Sequence, residues 1–302
     1  MRWNHRSVYA FMGAFILAFG LSGLAGCATE TTEEAPVSQE ESVADITSSL
    51  DAFAGLEGDL DIAGGTAHIP VMEALAADIM SANDAIAITV AGGGSGVGVQ
   101  QIGEGLVEIG NSGRELKDDE IAKYPGLELH AWAIDGVTAI VHPDNPVQEL
   151  TADQVKAIFA GEITDWSEVG GNSGAINVYA REEGSGTGET FIEKGLGNGD
   201  VSERAVIVTS NGAMKTSVAA DAAAIGFMSI GGVDDSVAAV SYDNVEPTNE
   251  NALNGSYVVT RKLYSVTQGT PEGLTAVFLE YLMGENGVTY IEDAGYIPTY
   301  AR

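Results

Sequence analysis

The sequence predicts an α/β fold with mostly parallel sheet. Strand-like segments alternate with segments of helical period, and the same small-residue loop recurs where a strand gives way to a helix. Residues 60–63 (LDIA) read as a strand, and Gly64-Gly65-Thr66 as the turn that ends it. A helix follows, with Ile69, Met72, Leu75, Ala76, Ile79 and Met80 on one face. Pro70 falls in its first turn, where a missing N–H costs little. Residues 86–90 (IAITV) form a second strand; Gly92-Gly93-Gly94-Ser95-Gly96 and a short helix through Ile102 come next. Thr151-Ala152-Asp153-Gln154 is a capping box opening the helix VKAIFAG. Residues 176–180 (INVYA) are another strand, followed by the loop Arg181-Glu182-Glu183-Gly184-Ser185-Gly186-Thr187 and a helix around residues 189–194.

These loops carry the chemistry. In open α/β sheets ligands bind beyond the carboxyl ends of the strands. A glycine there lets backbone approach closely, and free N–H groups at the next helix start, with Ser or Thr hydroxyls, form a donor-rich nest for an anion. Arg181 adds a planar fork matched to two oxygens of a tetrahedral anion. A Gly-rich turn alone is often only a tight turn. An arginine and two hydroxyls within seven residues are a more specific signal.

Composition narrows the classes. The chain of 302 residues has 13 basic and 44 acidic residues, a formal charge of −31. Such a surface argues against nucleic acid, which needs a basic footprint, and against an electrostatic membrane patch. Enzyme signatures are missing: there is no GxxxxGK loop, and neither Ser95 nor Ser185 sits in G-x-S-x-G. His5, His68, His130 and His142 show no metal-ligand spacing, so neither a metal nor another cofactor is expected. His68 lies near enough to Thr66 to line a pocket, but is read as a surface residue at a helix start.

The N-terminus sets the compartment. Arg2 and Arg6 precede an apolar run from about Val8 to Leu24, which ends in Leu24-Ala25-Gly26-Cys27. This pattern describes a secretory signal peptide over residues 1–26, and the run barely reaches a membrane span. Cys27, the only cysteine, sits as in the lipobox of bacterial lipoproteins, which implies a lipidated N-terminus and extracytoplasmic, membrane-anchored localisation. Loss of residues 1–26 removes Arg2 and Arg6 and no acid, leaving a charge of −33. Residues 27–57 begin polar and acidic, and read as a flexible tether.

Taken as a set, the loops resemble the phosphate-binding protein of the bacterial phosphate-specific ABC transporter, over nearly the whole chain after the tether. The segments are IAGGTAHIPVMEALA, ITVAGGGSGVGVQQI, EIGNSGRELK and REEGSGT, supported by DGVTAIVHPDNP, IFAGEITDWSEVGG and NGSYVVTRKLY. The resemblance implies the two-lobed type II periplasmic-binding-protein fold, two doubly wound sheets joined by a two-strand hinge. Lobe one would comprise residues 58–134 and 240–302 and lobe two residues 135–239, with Asp135-Gly136 at the first crossing and Trp132 close to it. It also implies that Thr66, Ser95, the Gly96 amide, Ser112, Arg181, Ser185, Gly186 and Thr187 hold the anion. Glu183 falls where the family often has an acid that orients this arginine, and whether Glu182 or Glu183 faces it is left open. Arg114 is either a second cation at the anion or a solvent-facing side chain. Gly113 stands where some members carry an aspartate that accepts the proton of hydrogen phosphate, so the proton reader is left open.

The expected function is capture of inorganic phosphate between the lobes and delivery to a permease, with no bond made or broken. Alternatives are a receptor of the same architecture for sulfate, molybdate or a phosphonate, a secreted hydrolase of phosphate esters, or a sensory module using the fold for protein contacts.

Overall fold

Parallel pairing begins where the alternation places it. The computed structural model of the protein describes residues 50–300; the expected signal peptide, Cys27 and the first part of the tether lie outside the described residues. Strand β1 (Gly58–Gly64) pairs in parallel with β2 (Ile86–Ala91) on one side and β3 (Ile109–Ser112) on the other. Helices α1 (Ile69–Ala82) and α2 (Ser95–Gly103) connect them. Along α1, Val71, Met72, Leu75, Ala76 and Ile79 are buried, whereas Met80 turns outward. A short α3 (Asp118–Lys123) leads into the fifteen-residue strand β4 (Leu127–Val141).

The second half repeats the pattern. Helix α4 (Ala152–Ala160) opens on the expected box, with Thr151 Oγ1 accepting from the Gln154 N–H at 3.2 Å and Gln154 Oε1 accepting from the Thr151 N–H at 3.0 Å. Strand β5 (Asn177–Arg181) is followed by α5 (Gly186–Thr190), which runs into a π turn at Phe191–Gly195. Next come β6 (Val206–Val208), α6 (Asn211–Ala219), β7 (Ala224–Ser229) and the short α7 (Asn249–Leu253). The chain closes with β8 (Thr260–Gln268), α8 (Gly273–Met283) and α9 (Gly287–Asp293).

The strands follow one path, β2-β1-β3-β8-β4-β7-β5-β6. Two features differ from the sequence expectation. The ladders β3–β8, β8–β4 and β4–β7 are antiparallel, with parallel pairs flanking them. Pairing is also continuous through β4, whose residues 127–136 face β8 and 137–141 face β7. One strand thus carries the sheet from one lobe into the other.

Side-chain packing defines the lobes. One core gathers Phe53, Leu60, Ile62, Met72, Leu75, Trp132, Leu263 and Phe278. Another gathers Val137, Ile158, Phe159, Phe191, Phe227, Val240, Tyr257 and Val259, with Phe191 stacked on Phe227 at 4.2 Å. The core changes between Ala133 and Val137 on the outward crossing, and between Val259 and Leu263 on the return. The return expected at residue 240 therefore falls too early: residues 240–259 contribute Val240, Tyr257 and Val259 to the second core, and the Tyr257 hydroxyl donates to the Val137 carbonyl at 2.9 Å. Trp166 is buried in that core, its indole N–H donating to the Ala223 carbonyl.

The expected tether is also too long at its C-terminal end. A 3-10 turn at Leu50–Phe53 buries both end residues, Phe53 completely, against a core tyrosine, Tyr281, at 5.3 Å. Asn83 ties this turn down by donating to the carbonyls of Phe53 and Leu56. We expect Phe53→Ala to lower unfolding stability by about 3–5 kcal/mol, measured by denaturant titration. A neutral result would return residues 50–57 to the tether.

Candidate anion-binding site

The loops converge between the lobes. A cavity of about 10 Å3 is lined by Thr66, His68, Ser95, Gly113, Arg181, Ser185, Gly186, Thr187 and Arg261, with Gly65, Ala67 and Gly94 completing its wall. Pockets for drug-sized organic molecules run to about 300–1,000 Å3; this one is far too small for them. A wider groove of about 500 Å3 adjoins it, sharing Gly113 and Arg261. Glu115 and Glu193 in the groove wall offset part of the charge of its Arg114, Lys194 and Lys262.

Local structure turns the cavity hydroxyls into donors. Ser185 caps α5, its Oγ accepting from the Gly188 N–H at 3.2 Å. Ser95 Oγ accepts from the Gly113 N–H at 2.9 Å. Thr66 Oγ1 accepts from the N–H and side-chain amide of Asn211 at 3.2 and 3.3 Å. A hydroxyl has one proton and two lone pairs. Thr66 has both lone pairs occupied and Ser95 and Ser185 one each, and in all three the proton is left for a ligand.

Two arginines face the cavity, Arg181 from the second lobe and Arg261 from the return crossing. Arg181 Nε and Nη2 donate to the two carboxylate oxygens of Glu182 at 3.1 and 3.0 Å, which leaves Nη1 buried and without a partner. The orienting acid is therefore Glu182 and not Glu183, which makes no recorded ion pair; Glu182, next in sequence, reaches back over the guanidinium. Arg261, which the sequence reading did not single out, donates from Nε to Asp135 Oδ2 at 2.9 Å, with Nη2 in ionic contact at 2.8 Å. Burial raises the Asp135 pKa above its ordinary value, against the opposing pull of Arg261 and of the Ser229 hydroxyl that donates to it. Gly113 follows from this arrangement. A Cβ there would lie 2.5 Å from Arg261 Nη1, so any side chain would displace the guanidinium.

Other expected residues lie elsewhere. The Gly96 N–H donates to the Gly184 carbonyl at 3.0 Å, and so joins the lobes without lining the cavity. Ser112 Oγ donates to the Arg114 carbonyl at 2.7 Å, also away from the cavity. Arg114 neither touches the cavity nor points freely to solvent: it forms a two-bond pair with Glu120 and contacts Glu189 at 2.8 Å. Lys117 joins Glu189 at 2.9 Å. Glu189 belongs to the second lobe, so these pairs clasp the lobes together. At Gly186 a Cβ would meet Ser95 Oγ at 2.3 Å, so glycine is what allows the approach.

His68 departs furthest from expectation. It is fully buried and lines the cavity. Its Nε2 lies 3.1 Å from the Ser112 carbonyl, its Nδ1 has no hydrogen-bond partner, and its ring meets Trp132 edge-on at 5.5 Å. Burial, then the Arg261 charge, lowers its pKa from 6.5 to about 3, against backbone contacts led by Ser112. No spacing rule could have found it, because the pattern of a helix-start histidine does not tell inward from outward. Among the described residues no group of three or more His, Cys, Asp or Glu could hold a metal ion, and no helix is long and apolar enough to cross a membrane.

The sign of the pH effect follows. Between pH 6.5 and about 3 the unfolded chain takes up a proton at His68 that the native state does not, so stability falls as pH falls through this window. Relative to His68→Leu, the wild type should lose up to about 1.4 kcal/mol more per pH unit there. Equal slopes in acid-dependent unfolding of the two proteins would contradict a buried neutral imidazole.

Comparison with known proteins agrees with this architecture. A profile of the PBP superfamily domain matches residues 30–286. The phosphate-binding protein PstS of Bacillus subtilis (strain 168) is 32% identical over 300 residues, covering 99% of this chain and 95% of its own. A crystal structure of a candidate phosphate ABC transporter substrate-binding protein from Clostridium perfringens, with bound phosphate, superposes with a TM-score of 0.76 at 35% identity, covering 80% of this chain and all of that one. An ABC-type phosphate transport receptor from Vibrio cholerae gives 0.65 at 32% identity, again over 80% of this chain and all of the other. Full-length matches of this kind leave one assignment: the chain belongs to the PBP superfamily, among its phosphate-binding proteins.

Proposed function

We propose that the protein is an extracytoplasmic receptor that encloses inorganic phosphate between its lobes and presents it to an ABC transporter permease, anchored by lipid on Cys27. The observation that carries this reading is the donor set of the cavity. Two buried arginines, each oriented by its own carboxylate, share a small space with three hydroxyls that already accept a bond and keep their protons free. Thr187 adds a fourth hydroxyl. Such a set stabilises tetrahedral oxyanion charge by charge-assisted hydrogen bonds. The relatives of known name point to phosphate as that oxyanion, and one similar structure holds it.

Capture needs the lobes to part and close. Polar contacts that bridge them include Gly96 to Gly184, Thr66 to Asn211, Arg114 and Lys117 to Glu189, Ser229 to Tyr296 and Asn249 to the Gly295 carbonyl. Of the ion pairs, Lys117–Glu189 is part-exposed and contributes at most about 1 kcal/mol. A buried anion held from both sides would tip the balance toward closure.

Calorimetric titration of the purified protein, freed of ligand, tests the reading. Phosphate should bind with sulfate ignored, and Trp132 emission should change on closure. Arg181→Ala should weaken phosphate binding by about 100-fold or more, since each charge-assisted bond is worth about 1.5–3 kcal/mol. Near-native affinity in that variant would mean that the anion sits elsewhere. Sulfate bound in preference to phosphate would keep the fold and overturn the ligand.

A further inference from the structure

Resting on the reading of the cavity as a phosphate site, we propose that His68 Nδ1 accepts the proton of hydrogen phosphate and is the group that rejects fully deprotonated oxyanions. The argument begins with what the cavity lacks. Among the described residues no carboxylate lines it: its charged side chains are Arg181 and Arg261, and Asp135 and Glu182 are engaged with them. Arginine has no acceptor. Thr66 already accepts two bonds and Ser95 and Ser185 one each, and all three, like Thr187, keep a proton to donate. A ligand that carries its own O–H therefore finds one lining side-chain atom, on His68, that can only receive it.

His68 has that commitment built in. Its Nε2 lies 3.1 Å from a backbone carbonyl, which can only accept, so Nε2 carries the hydrogen. The neutral ring then has its lone pair on Nδ1, which is buried beside the Gly65 backbone with no hydrogen bond among the described residues, on a residue that lines the cavity. An orphan acceptor at full burial costs free energy unless a ligand satisfies it. Burial and Arg261 keep the ring neutral at ordinary pH. Trp132, edge-on at 5.5 Å, fixes its plane.

Selectivity follows from the pairing. The P–OH of hydrogen phosphate donates to Nδ1 while its other oxygens take the arginine and hydroxyl donors. Sulfate brings only acceptors, so an oxygen would face a nitrogen lone pair. A buried polar group left unpaired by the wrong ligand is a strong source of discrimination. Arsenate, which keeps a proton at neutral pH, should behave like phosphate.

Two measurements decide it. Nitrogen-15 NMR of histidine-labelled wild-type protein should show His68 protonated at Nε2 only. Saturating phosphate or arsenate should move the Nδ1 resonance, and an equal concentration of sulfate should not. In calorimetry, His68→Leu should lower the ratio of phosphate to sulfate affinity by about 10- to 100-fold, with phosphate and arsenate weakened together. If the variant does not fold, the wild-type spectrum alone decides. An Nδ1 signal unmoved by bound phosphate, or a variant that loses phosphate affinity with its selectivity intact, would overturn the role of His68 and leave the phosphate reading standing. Wild-type protein that binds no phosphate would remove that reading and this one together.

Discussion

The structure turns on the ion pair between Asp135 and Arg261. The two residues are directly opposite in the antiparallel ladder between β4 and β8, where both strands pass from one core to the other. Both are buried, and the Ser229 hydroxyl of β7 donates to the carboxylate at 2.6 Å. A buried ion pair is weak evidence for net stability, because desolvation offsets its attraction, but removing one partner costs about 3–5 kcal/mol. Its consequence here is positional. It fixes the Arg261 guanidinium beside the cavity, where the chain crosses between the two cores. Gly113 is bare because Arg261 fills its side-chain space, and the charge of Arg261 helps to keep His68 neutral.

A protein of charge −31 that holds an anion has to separate its far field from its near field. At physiological salt the Debye length is about 8 Å, so most surface carboxylates are screened from the cavity. Within it, Glu182 and Asp135 neutralise the two arginines, and ligand affinity falls to oriented N–H and O–H dipoles at hydrogen-bond range. A hydrogen bond in a dry, closed site is electrostatically stronger than one in water. Donors that are already oriented need little rearrangement to receive the ion.

The sequence made legible whatever rests on local pattern. The strand–loop–helix units around Thr66, Ser95 and Arg181–Thr187 lie where alternation and glycine placed them, and the Thr151–Gln154 box forms as drawn. Long-range pairing was hidden. Arg261 sits in a strand whose partner is 126 residues earlier, and only that register brings it to the cavity. Glu182 and Glu183 are adjacent acids, and local loop conformation decides which one meets Arg181. The commitments of Gly96 and Ser112 depend on Gly184 and Arg114, which no spacing reveals. The return crossing was misjudged for a similar reason, since Tyr257 and Val259 join the second core through contacts distant in sequence.

The most direct test is a crystal structure of the protein with phosphate. The account predicts one ion in the cavity, with nitrogens of both Arg181 and Arg261 and the hydroxyls of Ser95 and Ser185 about 2.7–3.2 Å from its oxygens. The Asp135–Arg261 pair should be intact behind it. An ion bound elsewhere, such as the groove by Lys194 and Lys262, or a site from which Arg261 is turned away, would contradict it.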